Sequence, residues 1–235
     1  MPNCKLCLKE VSGLVKSHII PEFIYKNLGL YNNHGKINLL SPKNIKPNGE
    51  FRIKHLASGI YDNGLLCSDC YNRIIGSLET YANKILFTEV GKLKITKINI
   101  NGKDYKRLED LDYRKFKLFW LSILFRCSIT KKSGFNEVSL GPHEEEIRRM
   151  LIEHDARCED DYCIVMYSSD NDSMPKDYIL SPLKIKFPIN RTAYCLFIGE
   201  FIIVINISKH FIPPFYKLNR LKLNGSINIS KLKEG

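Results

Sequence analysis

Two cysteine pairs, Cys4-Lys5-Leu6-Cys7 and Cys67-Ser68-Asp69-Cys70, carry the strongest chemical signal in this chain. Four thiolates in two i, i+3 pairs are the usual ligand set of a tetrahedral structural Zn2+ site. One CxxC pair alone also serves redox chemistry. Two pairs, each beside residues suited to a tight turn, point to metal; two unrelated reduced pairs, or a disulfide pair, leave the apolar Leu65-Leu66 step before the second pair unexplained. Between the pairs lies Ser17-His18-Ile19-Ile20-Pro21. A histidine there can ligate the metal, act as a general base, or fill a satisfied core position. With four cysteines at hand zinc does not need His18, and Ile19-Ile20-Pro21 would anchor the segment with the imidazole turned toward the following loop and the second pair.

The elements around these residues must hold them together. Cys4 and Cys7 fit a short knuckle, and Leu14 to Ile20 reads as an extended segment with His18 on one face. Pro21 opens a short helix over Glu22 to Leu28, where its missing N–H costs little. Leu30 to His55, rich in Asn, Lys, Gly and Pro, is expected to be a long loop or irregular hairpin over the site. From Cys70, apolar residues Ile74, Ile75, Leu78, Tyr81, Ala82, Ile85 and Leu86 recur at spacings of three and four, which sets the second pair at a helix N-terminus. Residues 1–90 are thus expected to be a zinc-binding module, and residues 91–235 a separate α+β region.

In that second region Lys92 to Ile100 alternates and ends at Asn101-Gly102, a strand leading into a turn. Asp112 to Ile129 is a long helix whose stripe of Phe116, Phe119, Trp120, Ile123 and Leu124 is a core signature. A second helix starts at Gly141-Pro142-His143, with Glu144 to Glu146 before Arg148 and Arg149, an order that suits the helix dipole. Strands are expected over Cys163 to Tyr167, Leu183 to Phe187, Ala193 to Ile198 and Phe201 to Ile207, the last two joined at Gly199-Glu200. A final hairpin is expected at Asn224-Gly225, between Leu221 to Leu223 and Ile227 to Ile229. Strands beside segregated helices give the α+β class.

Composition bounds the function. The chain has 235 residues, 44% of them hydrophobic, enough for a real core. Cys4 and Cys7 precede any apolar run, so no signal peptide is expected, and no stretch reaches the roughly 20 residues that span a bilayer. A soluble, cytoplasmic protein without membrane contact is the expectation, and eight cysteines then argue for metal and free thiols rather than disulfides. Cys127, Cys158, Cys163 and Cys195 sit among apolar neighbours and read as buried thiols. The net charge of +11 favours an anionic partner such as nucleic acid, although a lysine-rich solvated surface explains it equally well. Part of that excess lies at Lys209, Lys217, Arg220, Lys222, Lys231 and Lys233, alternating in places with leucine as on a strand with one wet face.

The order CxxC, Ser-His-Ile-Ile-Pro, Asp62-Asn63-Gly64 as a polar turn, then Leu65-Leu66-Cys67-x-x-Cys70 and a helix resembles the zinc-stapled HNH endonucleases, whose site is a ββα-metal fold. More closely, it is similar to a bacterial HNH-like group that adds a Lys117 to Arg126 segment and a Leu140-Gly141-Pro142-His143-Glu144-Glu145 helix. The resemblance implies an N-terminal zinc-bound ββα-metal module followed by a helical and antiparallel-strand region, and a role in mobile elements or antiviral defence. It makes His18 the general base, Asn63 or its neighbour Asp62 the residue that orients the base or supports the loop, and a final histidine or asparagine the ligand of a catalytic Mg2+ or Mn2+. Here the chain departs from the pattern: Tyr71 stands where the family has histidine, and tyrosine is a poor ligand for hard cations. Asn72, or Glu79 two turns on, could supply the oxygen instead. Three functions follow: a metal-dependent HNH-like nuclease acting on nucleic acid, DNA first; a catalytically inactive zinc module that recognises nucleic acid; or a component that docks a protein partner through its C-terminal region.

Overall fold

The computed structural model describes residues 1–40, 54–169, 178–187, 191–207 and 213–232. The first extended segment, β1 (Val15–His18), is followed through Pro21 by helix α1 (Glu22–Asn27). Pro21 stands at the N-cap, its fixed φ launching the helix without a lost hydrogen bond. Of the two expectations for the 30–55 stretch, the described ends fit the hairpin: they are strands β2 (Ile37–Leu40) and β3 (Lys54–Leu56), paired antiparallel, and residues 41–53 lie outside the described ones.

Strand β4 (Tyr61–Leu66) pairs antiparallel with β1, joining Ser17 to Asp62 and His18 to Tyr61. This corrects the expected Asp62-Asn63-Gly64 turn. Asp62 Oδ1 does accept the Gly64 N–H at 2.9 Å, the local bond that makes Asp a turn former, but it does so inside a strand. The register then slips between the Ser17–Asp62 and Val15–Leu66 pairs, so the turn chemistry is spent on a bulge. Behind β4 the chain enters a π-helical turn (Cys70–Ile75), then α2 (Gly76–Asn83), then a second π-helical turn (Lys84–Thr88). The helical periodicity from Cys70 is therefore realised, with wide turns at both ends.

The remaining strands are β5 (Lys94–Ile100), β6 (Lys103–Glu109), β7 (Ile164–Ser169), β8 (Tyr178–Phe187), β9 (Arg191–Ile198), β10 (Phe201–Ile207) and β11 (Ile227–Leu232). With β2 and β3 they form one nine-stranded sheet in the order β3-β2-β8-β9-β10-β7-β11-β6-β5. The first 90 residues thus contribute two strands to the sheet that the C-terminal residues build. The two alternating sets of β7, β9 and β10 face opposite ways: Ile164, Met166, Leu196, Ile203 and Ile205 join the main core, while Cys163, Val165, Cys195 and Val204 pack with Tyr216 on the other face. Burial on both faces is why Phe201 to Ile207 reads as a continuous apolar run. β6 escapes the sequence pattern because only Tyr105 in it is buried and the rest is charged or half-exposed.

Helix α3 (Tyr113–Ile129) is capped by Asp112, whose carboxylate accepts the Lys115 N–H at 2.9 Å, and its aromatic stripe is buried. Helix α4 (His143–Glu153) packs beside it. Both charged residues at the ends of the α3 hydrophobic segment are buried as well. Lys117 Nζ donates to Tyr113 Oη at 3.0 Å and to the Cys158 carbonyl at 2.7 Å; Arg126 turns to the site described below.

Two C-terminal expectations are corrected. The turn at Asn224-Gly225 exists, with Lys222 N–H donating to Ser226 O at 2.8 Å, but only its second arm is a strand. Leu221 to Leu223 instead touches β7 through one backbone bond, Leu221 N–H to Ile164 O at 2.8 Å, because Pro213 and the 3-10 turn Pro214–Tyr216 bring the chain in across the sheet. The basic residues Lys217, Arg220 and Lys222 consequently do not alternate on a strand, and Lys209 and Lys233 lie outside the described residues. Cys158 is exposed, in a turn, rather than buried. Among the described residues no helix is long and apolar enough to cross a membrane.

Candidate metal centre and histidine groove

The Cys4 knuckle is a backbone construction. Cys4 N–H donates to Lys9 O at 3.0 Å and Leu8 N–H to Cys4 O at 2.9 Å, a closure that needs Leu8 in the left-handed region at φ 61°. Lys5 N–H donates to Leu65 O at 2.8 Å, tying the knuckle to the end of β4, and Arg148 of α4 donates to Leu6 O at 2.6 Å from behind. The second pair closes the other side, its Cys67 N–H aimed at Cys4 Sγ at 3.3 Å. All four sulfurs lie within 4.8 Å of one another, and every cysteine of the chain is free. A tetrahedral ion with Zn–S bonds of about 2.3 Å spaces its sulfurs by about 3.8 Å, so the four cysteines could hold a metal ion such as zinc. The electrostatics agree. Burial opposes ionisation of Cys4, Cys7 and Cys70; at Cys4 the N–H donors of Cys67, Cys7 and Leu6 overcome it and bring the thiol down to about 7, whereas Cys70 is pushed up by burial and by its neighbours. Four thiolates cannot share so small a space without a cation.

β1 runs from the knuckle side to His18, whose ring opens on a groove of about 320 Å3 lined by Glu22, Phe23, Tyr71, Asn72, Gly76, Glu79, Thr80 and Asn83. His18 Nε2 is 3.3 Å from Glu22 Oε2, close enough for charge attraction but not aligned as a hydrogen bond, which leaves that buried oxygen without a donor. The other Glu22 oxygen accepts from Tyr31 Oη. On the opposite side Tyr71 Oη is 3.5 Å from both His18 Nδ1 and the His18 backbone N–H. With a proton on Nε2 the ring would point it at Glu22 and turn the Nδ1 lone pair toward the Tyr71 hydroxyl. Burial pushes the His18 pKa below its ordinary value of 6.5; Glu22 pulls it up, and Lys16 pulls it down. The shift favours the neutral imidazole, the form able to accept a proton.

Beneath the groove Arg126 is fully buried. Its Nη1 donates to the His18 carbonyl and to Glu79 Oε1, both at 2.6 Å, and its Nε to Ser122 O at 3.2 Å, while Nη2 has no partner. This cation fixes the end of β1 to α2 from a helix more than 100 residues away in sequence. Gly59 makes a second constraint: a Cβ there would lie 2.6 Å from Glu22 Oε2 and 2.7 Å from the Tyr25 ring, so only glycine lets the chain pass under the glutamate.

Of the three candidate catalytic residues, His18 and Asn72 line the groove, with Asn72 Nδ2 donating to Ser68 Oγ at 2.9 Å. Asn63 is exposed on β4 and does not line it; the residue directly across from His18 is Tyr61. Asp62, the alternative to Asn63, accepts from Thr130 Oγ1 at 2.7 Å and so ties β4 to the end of α3. Sequence reasoning missed Glu22, Arg126, Arg148 and Gly59 as parts of the site. Glu22 had a usable signal, four residues after His18 with only Ile-Ile-Pro between, whereas the arginines join the site through tertiary packing alone.

The groove offers no ready-made divalent-cation set. Among the described residues the four cysteines are the one group of three or more metal-binding side chains that converge, and Glu79 is already committed to Arg126. No protein-family model, curated protein or solved structure matches the chain.

Proposed function

We propose that this protein is an HNH-like nuclease that hydrolyses phosphodiester bonds of nucleic acid, DNA first, in the cytoplasm, in mobile-element or antiviral defence, with a structural zinc in its cysteine set. The observation that carries the reading is the placement of His18: at the end of the first strand of a two-strand pair, flanked by Glu22, and facing the helix that follows the second cysteine pair across an open groove. In this role the unprotonated ring nitrogen of His18 takes a proton from water, the resulting hydroxide attacks phosphorus, and the bond to the leaving oxygen breaks, that oxygen taking its proton from solvent water. Glu22 holds the imidazolium formed in that step, and Arg126 holds the strand that carries it. The Mg2+ or Mn2+ of such enzymes has no converging ligand set in the groove, so no step here passes through it.

A second reading, a zinc-stapled module that recognises nucleic acid without cutting it, is favoured by Tyr71 in the helix position next to Cys70 and by the closed Glu79–Arg126 pair. Plasmid nicking with purified protein, with and without Mg2+ or Mn2+, separates the two. Nicking that His18→Ala abolishes while zinc content stays unchanged supports the nuclease; nicking that survives His18→Ala removes the assigned base. Salt-sensitive DNA binding without nicking selects the second reading.

A further inference from the structure

Strand β1 carries a cation close to His18, Lys16. Lys16 is two residues from His18 on β1, so both project to the same face, and buried Ser17 projects to the other. Its Nζ sits 4.0 Å from the centroid of the Tyr61 ring, and the His18 ring meets the same tyrosine edge-on at 6.1 Å. One aromatic ring therefore positions both the proposed base and a cation. Across the pair Lys16 faces the bulge that begins at exposed Asn63, whose amide has N–H groups to donate. Among the described residues no carboxylate pairs with Lys16.

Each of these facts has a consequence for ligand chemistry. An exposed lysine ordinarily samples many rotamers; one seated on an aromatic ring has part of its ordering cost met before a ligand arrives. An unpaired cation beside a proton acceptor matches a group that is anionic next to the bond to be broken. Of the glutamates nearby, Glu79 is neutralised by Arg126, while Glu22 keeps its charge beside His18 with one oxygen accepting from Tyr31.

We propose that Lys16, with Tyr61 beneath it and Asn63 across from it, is a phosphate subsite that seats the nucleic-acid backbone beside His18. This rests on the nucleic-acid reading above. It also gives Asn63 a part, as a neutral donor at the phosphate rather than a partner of the base.

The test is fluorescence-anisotropy titration of a short mixed-sequence DNA duplex at salt concentrations from about 50 to 200 mM, where each phosphate contact contributes about 0.9 to the logarithmic salt slope. Lys16→Gln is expected to lower the slope by about 1 and to weaken binding roughly eightfold near 0.1 M salt. Lys16→Arg should keep the slope, and Lys97→Gln, on the edge strand of the other sheet, should lose much less affinity. An unchanged slope in Lys16→Gln, with or without a lower melting temperature, reduces Lys16 to a packing contact on Tyr61 and overturns the subsite while leaving the nuclease reading in place. Equal losses in Lys16→Gln and Lys97→Gln also overturn it, because the effect is then net charge. If the unaltered protein binds no duplex at low salt, the nucleic-acid reading itself falls and the subsite with it.

Discussion

The cysteine cluster and the histidine groove share the β1–β4 pair and the helix after Cys70, yet they are built on opposite principles. In the cluster, four identical soft donors from two short local motifs converge within 4.8 Å, and each is placed by hydrogen bonds of its own backbone neighbourhood. In the groove, unlike side chains are set by one another: Glu22 by Tyr31 and Gly59, Glu79 and the His18 strand by Arg126, the imidazole by Glu22 and Tyr71. A cluster of like charges is incomplete without a cation, whereas the groove already pairs one of its carboxylates, Glu79, with a cation of its own, Arg126. Both are braced by an arginine from the C-terminal helices, Arg148 on the Leu6 carbonyl and Arg126 on the His18 carbonyl. The difference lies in what removing one member leaves behind.

The largest effect is expected in the cluster. Cys67→Ser leaves three clustered thiols and stripping metal with a chelator leaves all four, groups that repel when ionised, and metal-binding energy in such sites is folding energy. A loss on the order of 5 kcal/mol or more is expected, read by melting curves beside metal analysis giving about one zinc per chain. A metal-free protein that melts like the untreated one would erase the distinction between the two regions.

Next is Arg126→Leu, which strands the Glu79 carboxylate and the His18 carbonyl at a buried position. A cost of about 3 to 5 kcal/mol is expected from urea unfolding, since breaking a buried pair is far worse than never having it. The double variant Arg126→Leu with Glu79→Leu should recover much of that loss. If the double variant is as unstable as the single one, the pair is not what holds the groove closed. Gly59→Ala comes third, at about 1 to 3 kcal/mol, because the new methyl must displace either Glu22 or the buried Tyr25 ring. Its mark is local: the His18–Glu22 contact should open while the metal content stays at one. A variant with the His18 titration unchanged would mean that Glu22 moves freely and Gly59 sets nothing.

The same contrast explains what the sequence disclosed. The cluster was legible because i, i+3 spacing places two thiolates by local geometry, and two such motifs need only meet. The helices were legible through periodicity, as in the Phe116 to Leu124 stripe, and through the charge order of Glu144 to Arg149. Asp62-Asn63-Gly64 misled because its local hydrogen bond suits a turn and a bulge equally, and only the pairing with β1 selects between them. Leu221 to Leu223 misled in the same way, since the turn residues were right but the docking against β7 decided the first arm. Arg126 could not be read at all. In sequence it is the polar end of an apolar helix segment, and only the packing of α3 under β1 and α2 gives its guanidinium two acceptors.

The smallest effect is the titration of His18, and it asks whether the groove is compensated in the way its contacts imply. Burial outweighs the pull of Glu22, so the folded imidazole binds its proton below 6.5 while the unfolded chain binds it near 6.5. As pH falls through that window the unfolded state holds more protons, so the His18 contribution to stability is fully present above about 6.5 and is lost on acidification toward the folded pKa. An NMR titration should place the His18 midpoint below 6.5, and His18→Gln should flatten the part of the stability curve that falls there. Two neighbours move the midpoint in opposite directions: Glu22→Gln lowers it further, and Lys16→Gln raises it. A midpoint above 6.5 would make Glu22 the stronger influence, and one well above 7 would leave His18 largely charged near neutrality and turn the proposed base into a cation held between Glu22 and Tyr71. The groove would then resemble the cluster, a charged assembly waiting for its counterion, and recognition of a phosphate would displace hydrolysis as its chemistry.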